Sequence, residues 1–141
     1  MAAVSSVRAG IATNLATISG LHVSSTVPQQ IRPPMAVVMF SGFPEPRSSM
    51  GKGVTEMEFE VVVFVGNASS NDSGEDAMDA YVATTGASSV WVALESDRTL
   101  GGTAIDSVVT DMSGYEWTAI SANQLAIACT WTVQVFANGA A

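Results

Sequence analysis

One cysteine, one histidine and five basic residues are all that this chain offers to the commonest chemistries of binding and catalysis. Cys129 is alone, so it cannot form an internal disulfide, and with His22 it cannot supply the four ligands of a structural zinc site. Cys129 alternates with Ile127 and Trp131 and reads as a small core residue. Any Ser-His-Asp arrangement must be built on His22, which stands near the start of a short strand and reads as an ordinary surface or strand histidine. Arg8, Arg32, Arg47, Lys52 and Arg98 are scattered singly. Phosphate binding needs clustered cations to release counterions, so direct nucleic-acid binding is disfavoured. The chain has no apolar run of about 18 residues, and no membrane partner is expected. Ser5, Ser6, Arg8, Thr13 and Asn14 interrupt what would be the apolar core of a signal peptide, which predicts a protein made and kept in a cytoplasm.

Several short patterns invite a chemical reading and fail it on spacing. Gly51-Lys52-Gly53 lacks the third glycine of a dinucleotide fingerprint, because Glu56 stands there, and the Walker pattern is absent. A flexible turn explains it, and no cofactor is expected. Asp72, Glu75, Asp76 and Asp79 do not meet the EF-hand spacing and read as the solvated acidic start of a helix. Asn67-Ala68-Ser69 and Asn71-Asp72-Ser73 match the glycosylation sequon by chance in a chain without a secretory signal. Trp91, Trp117 and Trp131 are too far apart to form a stacking motif and read as core. No metal ligand set, catalytic group or enzymatic activity is expected.

What the chain does have is apolar periodicity. Its 141 residues are 48% hydrophobic and 13% charged, with thirteen acids against five bases and a net charge of -8, which describes one folded acidic domain over 1–141. The organising stretch is Thr55 to Gly66, in which Met57, Phe59, Val61, Val63 and Val65 alternate with Glu56, Glu58, Glu60 and then Val62 and Phe64. Period two in Val and Phe predicts a central strand whose first half has one wet face and whose second half is covered on both. Three unpaired buried carboxylates would cost several kcal/mol each, so Glu56, Glu58 and Glu60 are expected to face water.

Val4, Val7, Ile11, Leu15 and Ile18 lie on one face of an opening helix stopped by Gly20. Gly10 inside it costs roughly 1 kcal/mol relative to alanine unless another backbone passes close by. Leu21 to Val27 and Met35 to Phe40 predict strands on either side of Pro28, Pro33 and Pro34. From Ser41 to Val54 the sequence has no period and predicts a long loop, disordered until a neighbour orders it, with Phe43, Arg47, Met50 and Lys52 as interface candidates. Ser73 caps a predicted helix carrying Ala77, Met78, Tyr81 and Val82 and ending at Gly86. Ser88 or Ser89 caps a second helix to about Asp97, although Val90 and Val92 make a strand an open alternative. The remainder predicts strands at Thr103 to Thr110 and Trp117 to Ile120, a loop at Asp111 to Tyr115, and a last strand from Gln124 to Phe136 beside the central one. The expected fold is α+β, a mostly antiparallel sheet of about five strands covered by two to three helices on one face.

Over Val7 to Val38 and Asp79 to Tyr115 the chain resembles the tail terminator proteins of long-tailed, non-contractile actinobacterial phages, also called head-to-tail connector or tail completion proteins. The resembling features are an opening helix running into Gly20-Leu21, the Pro33-Pro34 pair before an apolar strand, the acidic helix at Gly74-Glu75-Asp76, and Asp97-x-Thr99-Leu100-Gly101-Gly102-Thr103. The resemblance implies a tail-terminator-like domain that forms a ring, typically hexameric, in the virion. Such a ring is assembled in the host cytoplasm, caps the tail tube, and meets the major tail tube protein on one side and the head connector or neck proteins on the other. DNA passes through the channel of such a ring without being specifically bound, and Glu56, Glu58 and Glu60 are then candidates to face that channel. An outer face on which they guard against aggregation follows from the same charges. Another neck or tail-tube subunit, or a small enzyme, remains the alternative.

Overall fold

Alternation in the central stretch does build the strand that the rest of the chain packs against. In the computed structural model, which describes residues 4–18, 21–24, 35–42, 54–66, 78–86, 88–102, 104–121 and 124–138, strand β3 runs Val54–Gly66. Each of its 13 residues has a partner on the last strand, β5 (Gln124–Asn138), in antiparallel register. Met57, Phe59, Val61, Val63 and Val65 lie opposite Val135, Val133, Trp131, Cys129 and Ile127, so both apolar sets share one face. All ten are at most 6% exposed. At about 1.5–3 kcal/mol for each fully buried large side chain, this double row is the main source of the sheet's stability.

The sheet is completed by β1 (His22–Ser24), β2 (Met35–Gly42) and β4 (Asp106–Ser121), in the order β1-β2-β3-β5-β4. Only the β1–β2 pairing is parallel, so the sheet is mixed and mostly antiparallel. Helix α1 (Val4–Leu15), a helical segment α2 (78–82) and helix α3 (Val90–Leu94) bury Val7, Ile11, Leu15, Met78, Tyr81, Val90 and Leu94 in the same cluster as the inner sheet face. The fold is therefore α+β, with these helices on one side of a five-stranded sheet. Among the described residues no helix is long and apolar enough to cross a membrane.

The opening helix explains its own glycine. A Cβ on Gly10 would stand 2.8 Å from the Leu100 Cβ and 3.0 Å from the Leu100 carbonyl oxygen, so the glycine admits a neighbouring backbone. Asn14, buried on the same helix, donates to the carbonyls of Leu94 (3.3 Å) and Asp97 (2.9 Å) and ties α1 to the chain after α3. Ser89 is the N-cap of α3: its hydroxyl accepts from the Val92 N–H at 3.2 Å and donates to the Ala83 carbonyl at 2.6 Å. The alternative strand at Val90 is thus excluded by a helix that ends at Leu94, earlier than Asp97.

Two expectations need correction. Thr103 to Thr110, Asp111 to Tyr115 and Trp117 to Ile120 are not two strands and a loop. A single strand, β4, crosses the polar run by means of register shifts between Val109/Asp111 and Ser113/Glu116, with Gly114 at φ 75°. Secondly, Ser41 and Gly42 extend β2 past a shift after Phe40, and Val54 already belongs to β3. The first strand begins at His22 rather than Leu21, and the part of the expected strand after Ser24 lies outside the described residues. On the second face Val62 and Phe64 are half-buried, and Val37, in register with Val62, is 3% exposed, while none of the three belongs to the helix-covered core cluster. Gly20, residues 43–53, both sequons, Ser73, Glu75, Asp76 and Ala77 lie outside the described residues.

Candidate functional site

The face of the sheet turned away from the helices carries the residues singled out by charge. Glu56, Glu58 and Glu60 alternate with core residues on β3, and all three are half-buried rather than enclosed. Successive carboxylates are about 6.6 Å apart along the strand, at roughly 3.3 Å rise per residue. Their neighbours are polar. Gln134, in register with Glu58, donates its Nε2–H to Glu56 Oε2 at 3.3 Å, and the Ser41 hydroxyl donates to Glu58 Oε2 at 3.1 Å. Across β5, Asp106 shares a row with Phe136 and Glu56, and Asp111 shares one with Thr132 and Glu60.

One end of this face is therefore acidic. The other end, through Met35, Val37, Val62, Phe64 and Ala128, is apolar. Among the described residues the only Lys or Arg side chains are Arg8, on α1, and Arg98. Arg98 is committed: its Nε–H and Nη2–H donate to Asp106 Oδ1 and Oδ2 at 2.8 Å each, a forked ion pair whose side chains are 49% and 43% exposed. Two adjacent carboxylates 6.6 Å apart repel by about 0.6 kcal/mol in water, and physiological salt screens part of that. The row is a mild cost to the isolated subunit.

Around Arg98 the structure gathers a second polar cluster that periodicity does not reveal. Asp97 accepts from the Thr99 hydroxyl (2.7 Å), the Thr99 N–H (3.1 Å) and the Gly101 N–H (3.0 Å). The Thr99 hydroxyl, then the Gly101 and Thr99 amides, hold its carboxyl below the usual carboxylate range. This Asx-turn fixes the Asp97-x-Thr99-Leu100-Gly101-Gly102 segment and sets Leu100 at φ 53° against Gly10. A sequence signal existed in the Asp and Gly-Gly spacing of that turn, but not in Glu95 or Arg98, whose partners lie 14 and 8 residues away.

The other candidates are placed plainly. His22 is exposed on β1, and among the described residues no group of three His, Cys, Asp or Glu side chains could hold a metal ion. Asp79 accepts from the Tyr115 hydroxyl at 2.7 Å, while Asp72, Glu75 and Asp76 lie outside the described residues. Cys129 is buried, and that burial pushes its thiol pKa up. Trp131 is fully buried, while Trp91 and Trp117 are half-buried against the core. Phe43, Arg47, Met50, Lys52 and the whole of Gly51-Lys52-Gly53 lie outside the described residues.

Comparison with protein-family models gives no match. Comparison with curated proteins gives none either.

Proposed function

We propose that this chain is a structural subunit of a long-tailed phage virion, forming a ring at the end of the tail tube, with the Glu56–Glu58–Glu60 face turned toward the channel. The observation that carries the reading is the row itself. Three carboxylates stand on one face of the central strand, with no cation beside them among the described residues, on the side of the sheet away from the helices. Mutual repulsion makes such a row a mild cost to the free subunit. In a ring, each copy adds three negative charges to one wall, which repels phosphate and lets DNA pass without sticking. The order of motifs shared with tail terminator proteins supports the same assignment.

The test is replacement of all three residues in the phage itself. Glu56→Gln, Glu58→Gln and Glu60→Gln together leave the strand pattern intact and remove only charge. The expected result is normal tail length and particle yield with slowed or incomplete DNA ejection. Normal ejection by the triple variant would remove the channel orientation. Particles that lack the protein altogether would remove the virion assignment.

A further inference from the structure

Of the two described bases, one is engaged and one is not. Arg98 is held by its fork on Asp106, whereas Arg8 Nε, on α1, is shielded from water and has no acceptor. A charged donor in that position loses hydration without regaining a hydrogen bond, which is a net cost. Most described acids are engaged as well. Asp79 accepts from Tyr115, Asp97 from its own turn, Glu95 from the Val109 N–H, Glu56 from Gln134 and Glu58 from Ser41. Among the described residues the acids left without a donor are Glu60, Asp111 and Glu116. Glu60 is half-buried in the row on β3, while Asp111 and Glu116 are exposed on β4.

The fold keeps these groups apart within one chain. Helix α1 packs on β1 and β2, and β4 is the far strand in the order β1-β2-β3-β5-β4. Three strand spacings of about 4.8 Å put β4 roughly 14 Å from β2, beyond the reach of an arginine side chain over β2. We propose that Arg8 is the cation of a contact between two copies of this chain, with α1 of one copy set against β4 of the next and the Arg8 guanidinium on the carboxylate of Asp111 or Glu116. A second copy is the occupant that fits both ends: its acids serve this Arg8, and the acids of this chain serve the Arg8 of another. The net charge of -8 on each copy does not oppose the contact, because at physiological salt charges beyond about 8 Å are largely screened and the local pair of opposite sign decides. With the two patches at opposite ends of the sheet, each contact leaves Arg8 open on one copy and the acids open on the other. Association of that head-to-tail kind continues past the dimer to a ring or a filament. The evidence lies within the single chain and does not rest on the virion assignment.

The test is charge reversal read by sedimentation velocity of the full chain, up to about 1 mM, the weak end of specific affinity. The variants are Arg8→Glu, the pair Asp111→Lys/Glu116→Lys, and all three changes together. Amide exchange of β3 residues is the reference for intact folding, and Arg8→Gln stands in if Arg8→Glu exchanges throughout. The expected result is growth of the wild type past the dimer, loss of association in Arg8→Glu and in the Lys pair, and at least tenfold weakening in Arg8→Gln. Association should return in the chain carrying all three changes, and in an equimolar mixture of Arg8→Glu with the Lys pair. A wild type that stays monomeric throughout overturns the contact, as does association that neither reversal weakens or that the combined reversal fails to restore. Growth that stops at a dimer overturns the head-to-tail geometry. The virion assignment is tested separately on particles: a chain absent from them that still associates through Arg8 removes that assignment and leaves this contact standing.

Discussion

Replacing Gly10 by alanine sets helix propensity against packing, and the two predict opposite signs. Propensity alone favours alanine by about 1 kcal/mol, because glycine in a helix interior loses more backbone freedom. The added methyl, however, would lie 2.8 Å from the Leu100 Cβ and 3.0 Å from the Leu100 carbonyl oxygen. Neither atom is the free end of a flexible side chain. Leu100 is 3% exposed, its φ is 53°, and the segment is pinned by the Asp97 carboxylate on the Thr99 and Gly101 amides. Relief must come from the backbone, at about 1–3 kcal/mol for overpacking, or from lifting Leu100 out of the core, at about 2 kcal/mol of lost burial. The cheaper route costs about 1–2 kcal/mol, and less the propensity gain the net expectation is destabilisation by up to about 1 kcal/mol. In urea, with a slope near 2 kcal/mol/M, the unfolding midpoint read by tryptophan fluorescence falls by up to about 0.5 M at constant slope. Leu100→Gly removes the clashing Cβ, so Gly10→Ala should cost less in that background, a coupling seen only between residues in contact. A midpoint that rises in the single variant would refute the close approach of α1 to this turn.

Other consequences follow from particular bonds. Asn14→Ala removes the side-chain donor to the Leu94 and Asp97 carbonyls, the second of which keeps the Leu100 N–H at 3.1 Å, and should cost about 1–3 kcal/mol; urea unfolding unchanged within about 0.3 kcal/mol would contradict the tie. Asp97 has a lowered pKa in the folded chain, so its contribution is present above the unfolded value near 4 and is lost as pH falls through the folded value. The Thr99 and Gly101 amide shifts should therefore move together below about pH 4 in wild type and stay flat in Asp97→Asn. Cys129 is buried with a raised pKa, so thiol reagents at neutral pH should modify it only at the rate of unfolding, and prompt labelling of native protein would show that β5 is not buried there. Finally, the Glu56, Glu58 and Glu60 triple Gln variant should leave the free subunit unchanged or more stable by up to about 1 kcal/mol at low salt, with the difference shrinking at high salt. Marked destabilisation would mean that the row is structural.

Much of this fold was legible because burial imposes a period. Met57 to Val65 alternate so regularly that strand, face and centrality follow together, and the matching alternation of Leu125 to Val135 identifies the neighbour. Val7, Ile11 and Leu15 did the same for α1. β4 was misread because an edge strand with bulges has no need of alternation: Asp111 to Glu116 are exposed, and Gly114 marks a bulge there as readily as it marks a loop. Three residues, His22 to Ser24, are too few to announce a parallel pairing. In the site, the acidic row was visible because i and i+2 share a face. Glu95 and Arg98 were not, since capping an edge depends on which backbone groups tertiary packing brings near, and no local spacing encodes it.

The central claim is tested most directly by a cryo-EM map of the tail end of the intact virion. The account predicts a ring of copies of this chain at one level, between tail tube and head connector, with Glu56, Glu58 and Glu60 lining the channel. Finding the chain repeated along the tube, absent from the particle, or placed with those three carboxylates against the outer solvent would contradict it.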